Sequence, residues 1–130
     1  MPISYSIDLN RRMVLTRSWG VLTDAEILAH KEQLALDPKF CPTMGQLSDV
    51  REIERLEVTT EGVKAMIAHD QAHADRRVGH RVAFVVSSDE AFGMARMYSQ
   101  RSGSELVTVF RSLTDAVDWL EATQPRRSAN

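Results

Sequence analysis

The stretch Arg81-Val82-Ala83-Phe84-Val85-Val86-Ser87-Ser88-Asp89-Glu90 decides the fold. Val82 to Val86 is an unbroken apolar run of β-branched and aromatic residues, with no polar residue alternating into it. Such a run suits a strand buried on both faces, as in a parallel sheet covered by helices. It ends at Ser87-Ser88-Asp89-Glu90, where Ser87 and Glu90 have the spacing of a capping box and predict a helix start. A central strand running straight into a helix predicts an α/β fold.

On the N-terminal side, Tyr5 to Leu9 alternates apolar with polar residues, the period of a half-exposed strand. Asn10-Arg11 predicts a tight turn. Met13 to Trp19 reads as the second strand of an antiparallel hairpin, ended by Gly20. Thr23-Asp24-Ala25-Glu26 is a second capping box, and Asp37-Pro38 stops the helix it opens, because the residue before proline disfavours helix. Gln46 to Val50 reads as a short third strand, and Arg51 to Val58 is charged and ambiguous. Thr59 or Thr60 caps a long helix reaching about Arg77, with Gly79 beyond it.

On the C-terminal side, the helix after the central strand extends to about Arg101, and Leu106 to Phe110 is the fifth strand. Ser112 to Asp115 caps the last helix, whose inward face is Leu113, Ala116, Val117 and Leu120. The order ββαβαβαβα predicts a mixed, mostly parallel five-stranded sheet covered by about four helices. Residues 1–123 are expected to form a single α/β domain and 124–130 a frayed, basic tail.

A chain of 130 residues is one domain's worth, and 43% hydrophobic with 26% charged residues is ordinary for a globular domain. The net charge of −2, with mixed signs along the chain, excludes the basic field that nucleic-acid binding needs. The single cysteine, Cys41, rules out an intrachain disulfide and fits a reducing cytoplasm. The start, Met1 to Tyr5, has no signal pattern, and no apolar run approaches the roughly 20 residues of a membrane helix. The expectation is a soluble cytoplasmic protein with neither nucleic acid nor membrane as partner.

Taken in order, five segments carry a family resemblance. They are Trp19-Gly20-Val21-Leu22-Thr23, Gln46 to Arg51, Arg81 to Val86, Phe92 to Tyr98, and Val109-Phe110-Arg111 followed by Ala116 to Leu120. In their order and spacing, across residues 5–122, the chain resembles the SpoIIAA-like, or STAS-like, group of small bacterial domains, often described as STAS/SEC14 domain-containing. The resemblance implies that fold and little specific function. The better-known STAS domains are anti-sigma-factor antagonists, phosphorylated on a serine in a D-S-x-G motif that opens the second helix. The matching place here is Thr59-Thr60-Glu61-Gly62. Gly62 fits and Thr60 stands for the serine, while Thr59 replaces the aspartate. Helix capping is the competing account of both threonines.

Ligands of open parallel sheets bind beyond the carboxyl ends of the strands. Those ends supply Ser48, Asp49, Ser87, Ser88, Asp89, Arg111 and Ser112, with helix N-termini suited to anions and Arg51 or Arg111 as a full charge. The competing account makes the same residues caps and edge ion pairs. No G-x-S-x-G elbow surrounds Ser87 or Ser88, so neither is marked as a nucleophile. His69 and His73 are one helical turn apart, a spacing able to hold a metal. A third ligand would come from His80, His30 or an acid, and aspartate stands where the H-E-x-x-H motif has glutamate. Phe92 and Met97 flank the stripe Ala91, Met94, Ala95 and Tyr98 and are candidates for an interface. Cys41 is a candidate thiol with no charged partner identifiable in sequence.

Three functions are carried forward. The first is a non-enzymatic regulatory or interaction module binding a protein partner or itself, as a homodimer. The second is a carrier of a small lipid-like or anionic ligand, which requires an apolar pocket between helices and sheet. The third is an enzyme, metal-dependent in one version, with His69, His73 or Ser87 involved. No cofactor is implied.

Overall fold

The strands and helices alternate along the chain in the computed structural model, which describes residues 2–73, 79–102 and 106–124. β1 (Ile3–Asp8) and β2 (Met13–Thr23) form the antiparallel hairpin. α1 (Asp24–Leu36), β3 (Gly45–Glu57), α2 (Thr60–Ala72), β4 (Arg81–Val85), α3 (Asp89–Ser102), β5 (Val107–Phe110) and α4 (Leu113–Ala122) follow. The sheet order is β1-β2-β3-β4-β5, and β2 to β5 are parallel. β4 lies between two parallel neighbours, with Phe84 level with Ser48 on one side and Val109 on the other. Ala83 and Val85 are fully buried, as the apolar run predicts.

Because the strands are laid down in chain order, right-handed crossovers put their connecting helices on one face. α1, α2 and α3 share that face, where Val14, Leu34 and Met44 form one cluster and Val63, Met66 and Tyr98 another. α4 covers the opposite face, packing Ala116 and Leu120 on Met13, Leu47, Ala83 and Val85. Among the described residues no helix is long and apolar enough to cross a membrane.

Four local expectations change. Gly20 does not end β2; it takes a left-handed φ of 67° at a bulge, and pairing continues to Thr23 opposite Glu57. The charged segment after Val50 is strand, held by that pairing and not by an apolar period. Ser88, not Ser87, caps α3: its hydroxyl accepts from Ala91 N at 3.1 Å, while Ser87 donates to the Arg51 carbonyl at 2.8 Å. Leu113, at the first position of α4, is 37% exposed and does not join the inward face. The expected run of α2 to Arg77 and the tail from 125 onward lie outside the described residues.

Candidate functional site: a pocket under three helices

Successive side chains on a strand point to opposite faces. In β2, Met13 and Leu15 therefore face α4, while Val14, Thr16 and Ser18 face the three-helix layer. In β3, Leu47 faces α4 while Gln46 and Ser48 face the three helices. A sheet face covered by helices is ordinarily apolar. Here Thr16, Ser18, Gln46 and Ser48 are all at most 8% exposed and lie side by side on two adjacent strands. They floor a partly open pocket of about 110 Å³. Its walls include Leu22 from β2, Ile27 and Leu34 from α1, Val63 and Met66 from α2, Phe84 from β4, and Ala91 and Met94 from α3.

Part of the floor is tied together. Gln46 Nε2 donates to Thr16 Oγ1 at 3.0 Å, and Thr16 Oγ1 lies 3.4 Å from His30 Nε2. Burial, with a smaller contribution from the Lys31 charge, pushes His30 down to about 4, so its ring is neutral at pH 7. A neutral ring with Nε2 as acceptor completes a chain from the Gln46 amide through the Thr16 hydroxyl to His30. Behind it, His80 approaches Gln46 Oε1 at 3.0 Å and the Met44 carbonyl at 3.1 Å. Ser18 and Ser48 are different: no hydrogen bond joins either side chain to another described residue, and both line the pocket.

At the edge of the pocket the three helices are tied by one polar cluster. Lys31 of α1 bonds both carboxylate oxygens of Asp70 on α2, at 3.1 and 3.2 Å, and the Tyr98 hydroxyl of α3 at 3.0 Å. Tyr98 also donates to Asp70. Lys31 and Asp70 are 15% and 19% exposed, so their attraction is screened far less than at a free surface.

Of the residues expected at the carboxyl edge, only Ser48 reaches the pocket. Asp49 is clamped by Arg51 at 2.9 and 2.8 Å, and those bonds hold its carboxyl below the usual range. Asp89 pairs with Arg111 at 2.7 Å, and Ser112 caps α4 by accepting from Asp115 N at 3.3 Å. Ser87 is thus on the Arg51 carbonyl, Ser88 is a cap, and Arg51 and Arg111 are each paired with a carboxylate.

Thr59 caps α2, accepting from Gly62 N at 2.9 Å, and Thr60 is exposed in the first helical turn. The Asp24 carboxylate of α1 accepts from Thr59 N at 3.0 Å and Thr59 Oγ1 at 2.7 Å. A negative charge therefore stands at the start of α2 although position 59 is threonine.

His69 and His73 stack at 4.3 Å between ring centroids, and His73 Nδ1 is turned to the His69 carbonyl at 2.9 Å, so the rings lie flat on each other and do not converge on one point. Among the described residues no group of three His, Cys, Asp or Glu is placed to hold a metal. His30, named for its metal-binding potential, instead lines the pocket. Phe92 is half-buried beneath the Arg111 guanidinium, 4.6 Å from its ring centre, and Met97 packs into the Val63–Met66–Tyr98 cluster. Cys41 Sγ lies 3.1 Å from Thr43 Oγ1 and 3.8 Å from Arg12 Nη2. Hydrogen bonds from Thr43, then Arg12, draw the thiol below its ordinary pKa.

The ordered sheet, the three helices on one face and the single helix on the other define a SpoIIAA-like α/β domain. A crystal structure of an uncharacterized protein from the DUF3478 family, from Shewanella loihica PV-4 and with a SpoIIAA-like fold, is similar to it at a TM-score of 0.60. The likeness covers 91% of this chain and 93% of that one at 20% identity, and so extends to the fold. No family model and no curated protein matches the chain.

Proposed function

We propose that the chain is a non-enzymatic ligand-binding module, taking a small, largely apolar molecule into the pocket between the sheet and α1, α2 and α3. One observation carries this reading: two buried serines on a covered sheet face open into a pocket with otherwise mostly apolar walls. Small-molecule sites have this make-up, an apolar lining with a few placed polar groups. The pocket of about 110 Å³ is smaller than the few hundred Å³ of a typical drug-sized site, so the occupant is compact. This favours the carrier reading over an interaction surface built on Phe92 and Met97, since both are half-buried.

Xenon tests it. It enters apolar cavities of this order of size. Dissolved xenon is expected to shift the NMR methyl signals of Leu34, Val63 and Met66 in a saturable way. In Ala91→Leu, where the larger side chain fills the pocket, the response is expected to vanish with thermal stability kept. An unsaturable response, or one unchanged in Ala91→Leu, would refute the proposal.

A further inference from the structure

We propose that the pocket selects an uncharged hydroxyl compound, and that Ser18 and Ser48 hold its hydroxyl group. This rests on reading the pocket as a ligand site, and goes further by fixing the ligand's chemistry.

Size comes first. An engineered cavity of about 150 Å³ lined by Leu, Ile and Phe takes up benzene. A pocket of about 110 Å³ scales to an occupant of about four to five non-hydrogen atoms, the size of a short alcohol.

Charge comes second. No aspartate or glutamate among the described residues lines the pocket, so a cation finds no counter-ion among them. The one lysine that lines it, Lys31, is already bonded to both oxygens of Asp70, so an anion finds no uncompensated positive charge. Burial keeps His30 neutral. An ion entering this pocket would give up its hydration for no matching charge. A wholly apolar occupant fails in the opposite sense, because it would cover the two serine hydroxyls and offer them nothing.

Geometry comes third. Ser48 is level with Thr16 on the neighbouring strand, and Ser18 is two residues further along β2, between Arg17 and Trp19 where the pairing with β3 shifts register. Both side chains line the same small pocket, where one small polar group can lodge between them. Each serine hydroxyl has one proton to give and lone pairs to accept with, so the pair can both donate to and accept from an alcohol. Thr16 and Gln46 are already bonded to each other, which leaves the two serines to make the contact.

The experiment is an NMR titration of the full chain with four molecules matched in size: 1-butanol, pentane, propionate and butylammonium. Saturable binding of 1-butanol is expected, with shifts at the amides of Ser18 and Ser48, and at least about tenfold tighter than the two ions. Ser18→Ala and Ser48→Ala are each expected to weaken 1-butanol about tenfold, the worth of one hydrogen bond, and to tighten pentane, because each removes a hydroxyl that pentane would cover unsatisfied. Neither substitution is expected to lower the thermal midpoint, because neither hydroxyl bonds another described residue. Tighter binding of propionate or butylammonium overturns the assignment. So do serine variants that bind 1-butanol like the parent, or that unfold several degrees earlier. If xenon enters the pocket while 1-butanol shows no preference over pentane, the ligand chemistry is wrong and the site stands. If neither xenon nor any of the four binds, the site itself is wrong.

Discussion

Replacing His30 with glutamine should remove a specific part of the protein's acid sensitivity. In the folded chain the imidazole is held at about 4, chiefly by burial. In the unfolded chain it returns to about 6.5. Between those values the unfolded state binds a proton that the folded state refuses, so stability falls as pH falls. The full stability is present above about pH 6.5, and the loss is complete once pH has dropped below about 4. Linkage puts the loss at about 2 kcal/mol at pH 5 and about 3 kcal/mol at pH 4. His30→Gln keeps an acceptor for Thr16 and has no proton to gain. Urea unfolding followed by fluorescence, from pH 7.5 to pH 4, is expected to show near-equal stabilities at the top of the range. The parent should then fall faster by about those amounts. Asp37 and Asp49, both with lowered pKa, add acid sensitivity of the same sign, but they are present in both proteins and cancel in the difference. Parallel loss of stability in the two proteins would refute the placement of a neutral His30 in the pocket wall.

Gly62→Ala would drive a methyl group into the Asp24 carboxylate and break its bonds to Thr59, at a cost of about 1–2 kcal/mol. A double-mutant cycle in urea should find the same substitution nearly silent once Asp24 is alanine. Arg81 is a 2% exposed cation donating to the Leu120 and Thr43 carbonyls and to Thr123 Oγ1, and burial lowers its pKa. Arg81→Lys, which loses the fork, should therefore cost about 2–4 kcal/mol by chemical denaturation despite keeping the charge. Lys31→Met removes the Lys31 cation from the Asp70 carboxylate and should cost about 3 kcal/mol, with Lys31→Met combined with Asp70→Leu recovering much of the loss.

The fold was legible because its strongest signals are local. Val82 to Val86 reads as a strand covered on both sides and largely becomes β4, and the Thr23 box with the Asp37-Pro38 stop delimits α1. Thr23 does accept from Glu26 N, at 3.3 Å. The second half of β3 was not legible, since Arg51 to Glu57 has no apolar period and becomes strand only by pairing with the β2 extension. Placing the helix cap at Ser87 or Ser88 required knowing which hydroxyl the chain turns toward Arg51. The pocket was hidden by an ambiguity in the alternation rule. Val14-Leu15-Thr16-Arg17-Ser18 and Gln46-Leu47-Ser48 look like strands with one wet face. A half-exposed strand and a strand with polar residues sealed under helices have the same period, and only the position of α1 to α3 distinguishes them. The pairing of charges at the carboxyl edge was hidden for a related reason. Sequence shows charges near helix starts but not that Asp49 already holds Arg51 and Asp89 holds Arg111.

The two faces of the sheet pose the same packing problem and solve it differently. Against α4, β2, β3 and β4 present Met13, Leu47, Ala83 and Val85, apolar residues that need no partner beyond contact. Against the other three helices, β2 and β3 present hydroxyls and an amide at positions where valine or leucine would bury more apolar surface and leave no polar atom to satisfy. Gln46 and Thr16 recover part of that cost by bonding each other and engaging the half-buried His30 and the buried His80. Ser18 and Ser48 recover none of it from described protein groups, and their small size is also what leaves room between the sheet and Phe84, Val63 and Met66. A scaffold selected for packing alone would fill that space. Keeping two short polar side chains there costs stability on one face only, beneath the layer whose three helices are held together by Lys31, Asp70 and Tyr98. That asymmetry is what supports the proposed ligand site between the sheet and the three helices.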